Sequence, residues 1–395
     1  MIDLTPEQHE IQQWAREFAR RHIVPRALAL DQQPESPLRE ELLRAAAQNG
    51  LLGASLPEFL GGMGHDPLTS ALVTEEIAAA CSGCAVLFGA TMLGLTPILL
   101  SGDIDAIMRF VPPLVASWAT DQPQLAALAA TEPDAGSDFI NGNPAGRIRT
   151  RVEKKAGGYL INGRKVFISN GSIASLITVF ASHDPSRPLR EHMSCFAVPA
   201  GTPGFSVGQI FHKMGQRAAP AAELVFDDVW VPENHRIGAE GGGWALNRLI
   251  MSVTRTPVAA IALGIARSAY EKALDYAETR VQGGKPIVEH QAMQLMLADM
   301  AIRVEAARGL VQRAAQSIAG GQPSLKLSSM AKTFAADAAV ANATDAIQVL
   351  GGYGYMHEYG VEKLLRDAKL TQIYEGTNQI NRFEIMEAVA AQRRA

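Results

Sequence analysis

Between Pro286 and Pro323 the chain runs without a proline, and Met293, Met296, Leu297, Met300, Val304, Ala307 and Val311 recur every three or four residues. Asp299, Arg303, Glu305 and Arg313 fall off that stripe, which is the pattern of one long amphipathic helix. Similar patterns fill Trp244 to Arg280, where Pro257 predicts a kink, then Ser324 to Leu350 and Val361 to Lys369. The C-terminal part therefore reads as helical.

The texture upstream differs. From the start to about residue 120, Ile11, Trp14, Phe18 and Ile23 recur near helical spacing, as do Leu42, Leu43, Ala46 and Leu51, and Pro, Gly and Ser clusters predict short helices there. From Leu128 to about Pro232 the chain reads as β. Tyr159 to Ile161 and Val166 to Ile168 flank Asn162-Gly163, which predicts a hairpin turn, and further β-like runs follow at Leu176 to Phe180, Cys195 to Val198 and Leu224 to Val231. The expected organisation is α+β in three parts: residues 1–122 helical, 123–236 β, and 237–395 a helical bundle. A length of 395 residues suits two or three domains at roughly 100 to 200 residues each.

Several function classes recede on composition and motif. Thirty-six Lys plus Arg against 40 Asp plus Glu leave a net charge of −4, without the basic excess that nucleic-acid binding uses. No run approaches the roughly 18 uninterrupted apolar residues of a membrane span, and the opening residues lack a signal-peptide stretch, so a cytoplasmic protein without a membrane span is expected. Three cysteines suit a reducing compartment. There is no G-x-G-x-x-G, no Walker A string and no H-E-x-x-H. Cys81-x-x-Cys84 has no second ligand pair, so no metal is expected and the two read as small buried thiols. Ser329-x-x-Lys332 lies inside a predicted helix without its usual companion motifs and reads as coincidence.

Four polar, Gly-containing segments remain, and all suggest backbone held close to a large ligand. Residues 129 to 138 form a loop broken by Pro133 and Gly136, with hydroxyls at Thr131 and Ser137. Residues 166 to 171 put Phe167 and Ser169 at i and i+2, on one strand face. Residues 348 to 352 end a helix in Gly351-Gly352, a stop that also allows close approach of a phosphate. In residues 372 to 380, Glu375 stands between Tyr374 and Gly376 just before the last helical stretch. On the residues alone it is either a carboxylate satisfied by a helix N-terminus or a chemical base.

The strings TEPDAGSD, GYLINGRKVFISNG, KMGQR with ELVFDDVWVP, RSAYEKALDYAETR, EHQAMQLMLADM, AIQVLGGYGY and RDAKLTQIYEGTNQI occur in that order over about residues 120 to 390. Together they resemble the acyl-CoA dehydrogenase family, closest to its short- and medium-chain members. The first 120 residues match more loosely, through LTPEQ and the Ala54 to Pro57 segment with Gly61-Gly62. The resemblance implies an N-terminal α-helical domain, a central β-barrel-like domain and a C-terminal four-helix bundle. It also implies bound FAD, an acyl-CoA substrate, a homotetramer and electron transfer to an electron-transfer flavoprotein.

The resemblance implies roles for particular residues as well. Glu375 matches the base that removes the α proton of the thioester while the β hydrogen leaves as hydride to the flavin, and its own amide is one of two donors to the thioester oxygen. Tyr374 and Gly376 match residues against the acyl chain and the thioester, Arg255 an arginine near the base, and Ser137 a residue near the CoA entrance. Leu128, Ala130, Thr131, Gly136 and Ser137 match the isoalloxazine and pyrophosphate loop, with Phe167 and Ser169 covering the ring. Arg280, Gln291, Gln348, Gly351 and Gly352 match residues lent to FAD by a neighbouring subunit, and Thr377 and Gln379 match contacts to its ADP portion. Two positions depart: Phe167 stands where tryptophan is usual, and Val281-Gln-Gly-Gly284 lacks an aromatic beside FAD. Two other readings compete: a flavin monooxygenase or oxidase on the same scaffold, which needs no α-proton base, and a non-catalytic FAD-bound interaction protein in which Glu375 is structural.

Overall fold

The computed structural model describes residues 3–137, 147–187 and 189–394. Helices α1 (Pro6–Phe18), α2 (Ala27–Gln32), α3 (Leu38–Gln48), α4 (Pro67–Leu100) and α5 (Ile104–Ala116) precede the strands. The α4 start is chemically set, since Pro67 occupies the first turn and the Asp66 carboxylate accepts the Leu68 and Thr69 N–H groups at 2.7 and 3.2 Å. Short helices form at α1, α2, α3 and α5, whereas α4 extends over 34 residues, through Gly83, Gly89, Gly94 and Pro97, with a break in helical geometry at Cys81. Burial on nearly every side outweighs the local preference of those residues.

The middle of the chain folds into an eight-stranded sheet. Its strands are β1 (Ala126–Ala129), β2 (Arg151–Lys155), β3 (Gly158–Ser169), β4 (Leu176–Ser182), β5 (Met193–Pro199), β6 (Phe205–Ile210), β7 (Ala221–Pro232) and β8 (Arg236–Ile237), with a short helix α6 (Leu189–His192) before β5. The order is β6-β7-β3-β2-β4-β5-β8, with β1 parallel to β4. Asn162-Gly163 is not a turn. It lies within β3, where pairing with β7 skips from Ile161 to Gly163; Gly163 has φ +153°, and its lack of a side chain admits Thr150, which a Cβ would meet at 2.6 Å. The hairpin closes earlier, at Ala156-Gly157, between β2 and β3.

The chain returns to helix in α7 (Gly243–Thr279), continues through a small ribbon of β9 (Val281–Gln282) and β10 (Lys285–Pro286), and ends in α8 (Gln291–Ala319), α9 (Leu325–Leu350), α10 (Val361–Thr371) and α11 (Asn378–Arg394). The stripe read from sequence faces inward in α8, with Leu297, Met300, Val304, Ala307 and Val311 buried. α7 stays helical through Pro257, whereas the backbone leaves helical geometry at Cys81 in α4. Helices from both ends of the chain share one apolar core, and the sheet has a second built on Tyr159, Phe196 and Phe226. Glu76 of α4 locks the helical layers together: it accepts two hydrogen bonds from Arg267 of α7 and two from Arg16 of α1. By length and composition α4 and α7 could cross a membrane, but 72% and 83% of their most apolar windows are buried in the protein, so they serve as core helices.

Candidate active site

Glu375 sits in the turn between α10 and α11 with φ +54°, followed by Gly376 at φ +84°. A non-glycine residue in the left-handed region costs about 1 to 3 kcal/mol, so the surroundings must enforce it. They do so at each carbonyl. Arg255 Nε donates to the Glu375 carbonyl at 2.9 Å, and the Gly376 carbonyl accepts from Lys332 Nζ at 2.7 Å and Asn381 Nδ2 at 2.8 Å. Ser329 and Lys332 of the S-x-x-K string, both buried, thus face this turn from α9, Ser329 accepting from Arg255 Nη1 at 2.8 Å. Nothing in their spacing connects them with Glu375, which lies in another element.

The carboxylate is not satisfied by a helix N-terminus. Its Oε2 accepts from Thr254 Oγ1 of α7 at 3.0 Å, and the α11 start is capped instead by Thr377, whose Oγ1 accepts the Ile380 N–H at 3.3 Å. Glu375 keeps some accessible surface, yet it is packed so closely that desolvation raises its pKa above the ordinary carboxylate value, against the opposing pull of Arg255, Thr254 and Lys332. The neighbouring Tyr374 phenol is pushed up by desolvation and accepts from Gln216 Nε2 at 3.3 Å. Burial pulls the Lys332 ammonium down to about 7.

The structure places Arg255 behind the turn rather than on an open surface. It is fully buried and ion-paired with Glu384 of α11, which also meets Arg248 at 3.2 Å. Its guanidinium contacts the Glu375 carbonyl and Ser329 as well as Glu384.

The 128–137 loop comes to the same place. Ser137 Oγ lies 3.5 Å from Thr377 Oγ1, joining two residues 240 apart in sequence. The loop is pinned from within: Lys165 Nζ donates to the Ala130 carbonyl at 2.9 Å and to Glu132 at 2.8 Å, both charges buried, and the Val166 N–H donates to the Thr131 carbonyl. Glu132 also accepts the Thr150 N–H, so Leu128 to Ser137 is tied to β3 and to residue 150. Sequence reading missed this buried pair, although Glu132 and Lys165 both lie inside motifs it singled out. The Asp138 end of TEPDAGSD falls outside the described residues. Phe167 is 63% exposed at φ +61°, packed on Phe211 at 4.8 Å, where β3 skips a residue against β7; Ser169 is half-buried two residues on.

Arg280, Gly351 and Gly352 line a separate open cavity of about 610 Å3 with Tyr276, His290, Met293 and Tyr353. Gln291 and Gln348 are exposed, as is Gln379 on α11. No residue of the 374–379 segment lines this cavity. A large aromatic left exposed at Phe167, hydroxyls converging at Ser137 and Thr377, and two glycines at residues 351 and 352, where a Cβ would meet nothing, fit a flavin dinucleotide. Gly283 and Gly284 take φ +60° and +82°, the two positions of a tight turn between β9 and β10, so the turn that lacks the aromatic is well formed.

Three family profiles cover most of the chain: acyl-CoA dehydrogenase N-terminal domain over residues 5–117, middle domain over 127–229 and C-terminal domain over 241–390. The chain belongs to the acyl-CoA dehydrogenase family. It is 43% identical to an acyl-CoA dehydrogenase of Bacillus subtilis over 97% of this chain and 98% of the relative. It is 42% identical to the cyclohex-1-ene-1-carbonyl-CoA dehydrogenase of Syntrophus aciditrophicus, covering 97% and 89%. Among solved structures, butyryl-CoA dehydrogenase of Megasphaera elsdenii superposes with a TM-score of 0.90 at 36% identity, covering 99% of this chain and all of that one. The protein is accordingly an oxidoreductase of the acyl-CoA dehydrogenase family, with the helix, sheet and helix layout that its sequence resemblance implied.

Proposed function

We propose that this acyl-CoA dehydrogenase family member oxidises the Cα–Cβ bond of an acyl-CoA thioester to the trans-2-enoyl-CoA, with Glu375 as the base. The observation that carries this reading is the Glu375 carboxylate itself: desolvated, unclaimed by any helix dipole, and presented from a turn whose backbone is held at both carbonyls. A thioester α C–H is a very weak acid, so the proton leaves only if the carbonyl oxygen is stabilised as it goes. Fixing the turn fixes the Glu375 N–H, which serves as one donor to that oxygen. Desolvation makes the carboxylate a stronger base, and Thr254 directs its oxygen. Tyr374 packs against the acyl chain, Gly376 leaves room for the thioester, and Ser137 lies at the CoA side.

FAD would be held by Leu128, Ala130, Thr131, Gly136, Ser137, Phe167, Ser169, Thr377 and Gln379 of one subunit and Arg280, Gln291, Gln348, Gly351 and Gly352 of the next, and would supply the acceptor for the β hydrogen as hydride. Sharing one cofactor between subunits requires at least a dimer, and a homotetramer passing electrons to an electron-transfer flavoprotein in the cytoplasm is the assembly this reading adopts. Anaerobic bleaching of the flavin by a panel of straight, branched and alicyclic acyl-CoAs tests it. At least one member should bleach the wild type and leave Glu375→Gln oxidised. A flavin-loaded protein that no acyl-CoA reduces refutes the reading.

A further inference from the structure

Ser329 and Lys332 belong to a string that the base-and-flavin reading does not use, yet both side chains are buried against the turn that carries Glu375. Lys332 is a lysine without accessible surface. Its Nζ donates to the Gly376 carbonyl at 2.7 Å and to Asn378 Oδ1 at 3.0 Å. Asn378 is fixed in turn by donating to the Thr333 carbonyl at 3.2 Å and to Asp337 at 2.8 Å. A lysine kept in so dry a place costs several kcal/mol unless its charge is used. The charged groups that act on it are Arg255 from α7, Asp337 on its own helix, Arg382 from α11 and Glu375 in the turn. Two of those are cations, so the carboxylates of Glu375 and Asp337 are the groups that favour its proton.

We propose that Lys332 is a positioning residue for the reaction, its ammonium holding the Gly376 carbonyl so that the turn keeps one conformation, and its positive charge stabilising the Glu375 carboxylate. This rests on the reading of Glu375 as the α-proton base. Asn381 shares the tether to the same carbonyl, but it carries no charge, so the two contributions separate by substitution. Lys332→Gln keeps a donor and loses the charge, whereas Lys332→Met loses both. Below about pH 7 the ammonium is protonated, and its charge acts on Glu375 there.

Two measurements test the inference. The first is the infrared carboxyl titration of Glu375, isolated by subtracting spectra of Glu375→Gln and made without added flavin. Both Lys332 variants should raise the titration point by about one pH unit or more relative to wild type, because an opposing positive charge is gone. The second is the rate of flavin reduction by acyl-CoA above the titration range. It should fall roughly 10- to 100-fold in Lys332→Met and much less in Lys332→Gln. If Glu375 titrates at the same pH in all three proteins, Lys332 is only packing and the proposal is overturned. Should wild type itself fail to be reduced, the functional reading fails, while the carboxyl titration still decides the coupling of Lys332 to Glu375. If Lys332→Met does not fold, the titration of Lys332→Gln decides by itself.

Discussion

Thr254→Val isolates the hydroxyl that touches the base. Thr254 Oγ1 lies 3.0 Å from both Glu375 Oε2 and the Ile250 carbonyl, and a hydroxyl has one proton to give. With Glu375 ionised, the proton goes to the carboxylate. With Glu375 protonated, the carboxylic acid can donate to Thr254 and the hydroxyl can turn to Ile250. A hydrogen bond to a charged group contributes about 1.5 to 3 kcal/mol and a neutral one about 0.5 to 1.5, so the substitution costs the ionised form about 1 to 1.5 kcal/mol more than the acid. At 1.36 kcal/mol per pH unit that raises the Glu375 pKa by about one unit. The sign follows directly: the base needs its carboxylate, so the acid limb of the flavin-reduction rate should move to higher pH in the variant. The assay is stopped-flow bleaching by a saturating acyl-CoA across the acid and neutral range. Above the limb, the variant should approach the wild-type rate to within about an order of magnitude, since the backbone ties from Arg255 and Lys332 remain. An unmoved limb with a lowered plateau would refute the argument and assign the hydroxyl to substrate or flavin instead.

Glu375→Gln should lower flavin reduction by about 100-fold or more, while difference spectra still report acyl-CoA binding; loss of binding as well would mean that the side chain shapes the pocket rather than the chemistry. Glu76 titrates at about 2 in the folded protein against 4.5 ordinarily, because desolvation, which would raise it, is outweighed by the hydrogen bonds and charges of Arg267 and Arg16. Its contribution of roughly 3 kcal/mol is complete above pH 4.5 and is lost as pH falls toward 2, so wild type and Glu76→Gln should converge in unfolding midpoint on acidification. Parallel midpoints at every pH would contradict this. Gly283→Phe supplies the missing ring but at φ +60°, with its Cβ 3.3 Å from the His290 ring, so FAD should tighten roughly two- to tenfold only if the turn keeps its conformation; fluorescence titration of the deflavinated protein reads the affinity, and unchanged affinity with an unchanged unfolding midpoint would show that the turn does not reach the cofactor.

Periodicity made the long helices legible. The α8 stripe and the Gly351 stop of α9 follow from side-chain spacing and from the backbone freedom of glycine, which act locally and so are written locally. Glu375 as a candidate base was legible too, because one short segment carries both the carboxylate and the glycine beside it. Local preference failed where a distant partner overruled it. Asn162-Gly163, a strong turn dipeptide, is held inside β3 by its pairing with β7 and by the approach of Thr150. In α4 the backbone breaks at Cys81, yet it continues as helix through Gly89, Gly94 and Pro97 because packing encloses it.

The environment of Glu375 was decided by tertiary structure alone. Thr254 and Arg255 arrive from α7, Ser329 and Lys332 from α9, and Glu384 from α11, and no spacing along the chain encodes those meetings. A sequence states which groups are available and which stretches are helix. Desolvation and directed hydrogen bonds depend on what folding brings within about 3 Å, and it is those that decide whether a carboxylate is a surface charge or a base.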